Sequence, residues 1–92
     1  MIVRILTEGQ YDVSDAALAQ LNQLDAAVAS AIETGDEAAF RTTFAALLDG
    51  VRTVGAPHAE GDLAESDLIL PPADATMDEV REMLADDGLI PG

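Results

Sequence analysis

The stretch SDAALAQLNQLDAAVASAIETGDEAAFRTTFAALLDGVRTVG, residues 14–55, decides the fold. It holds two helical periods separated by Thr34-Gly35-Asp36. Ser14 or Asp15 can cap a helix that runs to about Thr34, where Gly35 offers the left-handed stop. Its apolar stripe is Leu18, Leu21, Leu24, Val28, Ala31 and Ile32. Asp36 caps a second helix, in which Phe40, Phe44, Leu47, Val51 and Val54 follow at spacings of four, three, four and three before Gly55 ends it. So short a link forces the two helices to fold back antiparallel, seam against seam, with alanines allowing close approach.

Upstream, residues 2–7 and 10–13 are rich in Ile, Val, Leu and Tyr and are divided by Glu8-Gly9, a pair suited to a tight turn, so a β-hairpin is expected. Ile2, Arg4 and Leu6 point one way and Met1, Val3 and Ile5 the other. Both faces of the first strand are largely apolar, which predicts cover on both. Arg4 is the exception, read as a surface arginine paired with a nearby carboxylate.

Downstream, residues 56–67 turn to Pro, Gly and acids without a period and read as a mobile loop. Leu68-Ile69-Leu70, bounded by Pro71-Pro72, fits a short third strand on the edge of the hairpin. Thr76 with Glu79 forms a capping box, and Met77, Val80, Met83 and Leu84 mark a short last helix that ends before Gly88. The expectation is one α+β domain over residues 1–92: an N-terminal β-hairpin, an antiparallel αα-hairpin, a third strand and a short C-terminal helix.

Eighteen Asp and Glu stand against four arginines and no lysine, for a net charge of −14. Such a surface repels phosphates and anionic headgroups, so nucleic acid and direct membrane insertion are excluded as modes of action. Residues 1–55 carry eight acids and three arginines, for −5, and residues 56–92 ten acids and one arginine, for −9. The excess reads either as a solvated surface of the kind high-salt proteomes adopt or as a binding face, and charge alone does not separate the two. With no cysteine there are no disulfides and no thiolate chemistry. No leader-like segment is evident, and a cytoplasmic location is expected.

Little in the chain points to catalysis. His58 is the one histidine and sits in the loop without a serine or cysteine in a nucleophile setting, so a triad is excluded. Asp74, Thr76 and Asp78 alternate as calcium ligands do, but the loop lacks the glycine at its sixth position and the glutamate at its twelfth, and a helix cap accounts for them. Glu65-Ser66-Asp67-Leu68 is not the Asp-Ser-Leu of an acyl carrier protein, and no phosphate loop is present. The expectation is a non-enzyme with no cofactor and no metal.

Met1-Ile2-Val3-Arg4-Ile5, Glu8-Gly9-Gln10-Tyr11, Ser66-Asp67-Leu68-Ile69-Leu70-Pro71-Pro72, Thr76, Glu79-Val80-Arg81 and Gly88-Leu89-Ile90-Pro91 together resemble the PspA-associated protein family, PspAA, along the whole chain. Members of that family are typically encoded beside, or fused to, a homologue of phage-shock protein A, a coiled-coil protein of the ESCRT-like membrane-remodelling superfamily. The resemblance implies a non-catalytic adaptor of the envelope stress response, reaching a membrane only through its partner. It implies no catalytic or ligand residues. Partner contact is expected at the apolar sites Leu68, Ile69, Leu70, Leu89 and Ile90, or else at Glu65, Asp67, Asp78 and Glu82. Self-association as a homodimer is compatible with so small a core. A homo-oligomeric, antitoxin-like module neutralising a basic partner is the alternative function, and a small enzyme with a site shared across a dimer is the third.

Overall fold

A computed structural model of the chain describes residues 1–57 and 67–83. The helical hairpin forms as its caps and seams require. Helix α1 spans Asp15–Thr34, with the Ser14 side chain accepting a hydrogen bond from the Ala17 N–H at 3.2 Å. Gly35 closes it in the left-handed region at φ 73°, where its N–H reaches back to the last-turn carbonyls and a side chain would be strained. Helix α2 spans Glu37–Val54, and Asp36 caps it by accepting from the Ala39 N–H at 3.1 Å.

The seams interlock: Leu21, Val28, Ala31 and Ile32 of α1 are buried with Phe40, Phe44, Leu47, Leu48 and Val51 of α2, and Leu18 and Leu24 pack at the margin. The Phe40 and Phe44 rings lie 5.4 Å apart and nearly parallel. Gly50 allows the closest approach, since a Cβ there would meet the Leu24 Cδ1 at 2.9 Å and the Leu21 Cδ2 at 3.1 Å. Two details depart from the sequence reading. Val54 is exposed, and Leu48, next to Leu47 and one turn beyond Phe44, is buried with the seam instead. Asp25, four residues beyond Leu21, is only 2% exposed and is partnered.

Strands β1 (Ile2–Ile5) and β2 (Gly9–Asp12) form the expected antiparallel hairpin, with Val3 opposite Tyr11 and Arg4 opposite Gln10. A further rung joins the Val13 N–H to the Met1 carbonyl at 2.8 Å. The turn falls earlier than Glu8-Gly9: Ile5 pairs with Gly9, so the connection is Leu6-Thr7-Glu8, and Thr7, a β-branched residue, holds the left-handed position at φ 72°. Glu8 is fixed from outside the turn. Its carboxylate takes a bidentate contact from Arg52 of α2, with Arg52 Nε donating to Oε2 at 2.9 Å and Nη2 to Oε1.

The sheet has four strands, in the order β3-β2-β1-β4. β3 (Ala56–Pro57) pairs antiparallel with β2, and this corrects the reading of residues 56–67 as loop throughout. Gly55 leaves α2 in an extended conformation and leads straight onto the sheet edge, so the chain has no room for a loop there. Residues 58–66 of the expected loop lie outside the described residues. β4 (Leu68–Leu70) adds to the other side of the hairpin, parallel to β1, with Arg4 opposite Ile69 and Ile5 opposite Leu70.

Helix α3 (Met77–Met83) starts in the anticipated capping box: the Glu79 N–H donates to Thr76 Oγ1 at 3.2 Å, and the Thr76 N–H to Glu79 Oε1 at 3.3 Å. Val80 is buried, and Arg81 Nη2 donates at 3.3 Å to the Ile32 carbonyl, which also accepts from the Gly35 N–H at 3.1 Å, so α3 is tied to the end of α1. Leu84 lies outside the described residues.

Candidate partner-docking surface

Alternation along the strands sorts the sheet into two faces. Val3, Ile5 and Leu70 are fully buried and join Val13, the α1–α2 seam, Ala75 and Val80 in one core. Ile2, Arg4, Leu6 and Ile69 project from the opposite side, because neighbours in register point the same way. Here the expectation of cover on both faces of β1 fails: Arg4 is exposed, Leu6 is 37% exposed and Ile69 48%. A two-helix hairpin offers one apolar seam, and that seam is already filled by the other face.

Of the contact residues expected from sequence, β4 brings Leu68, Ile69 and Leu70 together but does not present them equally. Leu70 has no exposed surface and Leu68 packs half-buried against the core, so only the Ile69 side chain is available to a partner. Leu89 and Ile90 lie outside the described residues, as does Glu65. Two of the remaining acids, Asp67 and Asp78, are engaged locally. Asp67 binds the end of β1, its carboxylate accepting from the Ile2 N–H at 2.8 Å while its own N–H donates to the Ile2 carbonyl at 2.8 Å. Asp78 pairs with Arg81 at 3.1 Å, and Glu82 is exposed on α3.

Arg4 departs from expectation more sharply. Among the described residues it enters no ion pair, whereas Arg52 holds Glu8 and Asp49, Arg81 holds Asp78, and Arg41 lies over the Phe40 ring at 6.0 Å. The residue opposite it on β2 is Gln10, not an acid. At the turn end of the sheet, the hydrogen bonds from Arg52 hold the Glu8 carboxyl below its usual range, and Glu8 in turn raises Arg52. This pair anchors the β1–β2 turn, and with it Leu6, to α2.

Thr76 and Asp78 serve α3 as cap and ion-pair partner, and no group of three or more His, Asp or Glu side chains among the described residues could hold a metal. His58 lies outside the described residues. No helix among them is long and apolar enough to cross a membrane.

The molecule is thus an α+β domain in which a four-stranded sheet covers one side of a helical hairpin and turns outward a mixed face that carries Ile2, Arg4, Leu6 and Ile69 with Gln10 and Asp12. A family model described as PspA-associated protein matches residues 1–92, the whole chain, and the chain belongs to that family. The family name indicates association with PspA and an accessory role, and the family is not a known enzyme family. Comparison with curated proteins and with solved structures gave no match.

Proposed function

We propose that this protein is a non-catalytic adaptor that binds a phage-shock protein A-like membrane-remodelling protein during the envelope stress response. The observation that carries this reading is the match of the PspA-associated protein family over all 92 residues. The physical character of the chain supports it. A domain of net charge −14 does not adhere to anionic lipid unaided, so a protein partner is the route by which it reaches a membrane. The protein is cytoplasmic in this reading and needs no cofactor.

Titration calorimetry of the full chain against the purified phage-shock protein A homologue from the same organism tests the proposal. A saturable complex at micromolar concentrations or tighter is expected. Absence of binding at both low and physiological salt would remove the adaptor reading.

A further inference from the structure

The C-terminal end of α1 is held by a cation that its own helix does not supply. No basic residue stands in the last turn of α1, and Glu33 puts an acid there, the wrong sign for the negative end of the helix dipole. Arg81 of α3 fills that place. Its Nη1 donates to Asp78 at 3.1 Å, which orients the guanidinium, and its Nη2 donates to the Ile32 carbonyl at 3.3 Å. Residues 56–92 carry ten acids and one arginine, and that arginine is Arg81. From this placement we infer that α3 is an ionic latch: it closes on the end of α1 through Arg81 and, when the surrounding acids are unscreened, opens as a unit while the helical hairpin and the sheet stay folded.

α3 depends on docking for its own structure. Seven residues are too few for a helix to hold in water by its backbone hydrogen bonds. The capping box closes the first turn, but few side chains bind the helix to the body. Val80 is fully buried and Met77 packs at the margin of the core, whereas Asp78, Glu79, Arg81, Glu82 and Met83 are exposed. Departure of α3 breaks no rung of the sheet, because the strands pair with one another, and it leaves the facing side chains of the α1–α2 seam in place.

The charges decide which way the latch leans. Met77–Met83 holds three acids and one arginine, for −2, and residues 33–37, at the turn between α1 and α2, hold three acids, for −3. The bond from Arg81 to Ile32 brings the two groups to one end of the molecule. The Asp36 N–H donates to the Ala31 carbonyl at 3.0 Å, which keeps the acidic turn folded against that end. Even with Arg41, the next cation along α2, counted in, the turn stays at −2. Like charges repel over a screening length of roughly 30 Å at 0.01 M salt and roughly 3 Å at 1 M, whereas the Arg81 hydrogen bond acts at contact and loses less to salt. Salt therefore closes the latch.

Simple fraying of a short helix gives a different response. A frayed end opens at any ionic strength and is indifferent to charges on another helix, whereas the latch answers to Glu33 of α1 and Glu37 of α2.

Amide hydrogen exchange of the full chain, read residue by residue by NMR at about 0.01 M and about 1 M salt, tests the latch. The Val80 N–H, bonded to the Thr76 carbonyl at 3.0 Å, reports on α3, and the Phe44 and Leu47 N–H groups report on the seam. At low salt Val80 should be protected at least about tenfold less than the seam, and high salt should narrow that gap at least about threefold. Arg81→Gln should widen the gap at low salt by about threefold or more with the seam unchanged. Glu33→Gln combined with Glu37→Gln should narrow the gap and flatten its salt response. Circular dichroism checks that the variants are folded, and the double glutamine variant decides alone if Arg81→Gln is not. Equal protection of Val80 and the seam at both salt concentrations overturns the inference, since α3 then opens only with the whole domain. A gap that neither salt nor the double glutamine variant changes also overturns it and leaves an ordinary frayed helix.

Discussion

The two faces of the sheet are built from nearly the same residue types and meet opposite fates. Val3, Ile5 and Leu70 are fully buried, while Ile2, Leu6 and Ile69, one position away along the same strands, are partly or largely exposed. Strand composition therefore does not say which face is core. What decides is the supply of covering elements: α1 and α2 present a single continuous seam, and it meets the face that carries Val3 and Ile5. The outer face keeps its apolar groups without a described layer over them. Residues that stability alone would allow to be polar are candidates for binding.

The largest effect should come from the covered side. Phe44 lies mid-seam, stacked on Phe40 and 2% exposed, so Phe44→Ala opens a cavity where the core is only one layer deep. A loss of about 3–5 kcal/mol is expected, enough to leave a domain of this size close to unfolding. Chemical denaturation followed by circular dichroism measures it. A loss below 1 kcal/mol would mean that the seam is not the core.

A paired substitution on β4 tests the comparison directly. Leu70→Ala should cost about 2–4 kcal/mol and Ile69→Ala under about 1 kcal/mol, although the two residues are neighbours of similar size. Comparable losses would show that both faces are covered in solution, with the outer layer supplied by a second copy or by parts of the chain not described.

How much of this was legible in the sequence follows the range of the physics involved. The helical hairpin, its caps and the Thr76–Glu79 box are set by local spacing and side-chain chemistry, and each forms where the pattern placed it. The third strand was legible from Leu68-Ile69-Leu70 between turn residues, but its parallel pairing with β1 is a long-range choice that no local signal specifies. Ala56-Pro57 gave no strand signal, since two exposed residues have no period, and they pair because Gly55 delivers them to β2. For the docking surface, the apolar triplet on β4 was visible, whereas its division into one outward and two inward residues required the register. Arg4 reads as an ordinary surface arginine, which in an acidic chain usually finds a carboxylate, and that it enters no ion pair among the described residues is set by side-chain placement that no local spacing reveals.

A smaller effect, of opposite sign, is expected at the rim between the faces. Thr7 holds φ 72°, where a β-branched residue crowds its own backbone by roughly 1–2 kcal/mol. Thr7→Gly removes that strain but loosens the unfolded chain by about 0.4–1 kcal/mol, so a net gain of a few tenths up to about 1 kcal/mol should appear in denaturant titration. A destabilised Thr7→Gly would mean that the threonine side chain makes a compensating contact.

The smallest effect is the most diagnostic of how the turn is anchored. Arg52 and Glu8 are about a third and a quarter exposed, so solvent screens their pair and its contribution should stay under about 1 kcal/mol. Its pH signature has a definite sign. Glu8 is held below its ordinary value of 4.5 by the hydrogen bonds from Arg52, so the folded state binds this proton less readily than the unfolded chain. The stabilisation is therefore complete above about pH 4.5 and fades as the pH falls through the lower folded-state value, while Arg52 stays charged throughout. The chain carries seventeen other Asp and Glu, so a single acid titration of the parent protein does not isolate the effect. The difference between the parent and Glu8→Gln does, because the other carboxylates are common to both. That difference should favour the parent at pH 7 and shrink as the pH is taken below 4.5. If it holds constant across the range, the glutamate stabilises the turn by shape alone, and the link from α2 through the turn to Leu6 on the outer face is not electrostatic.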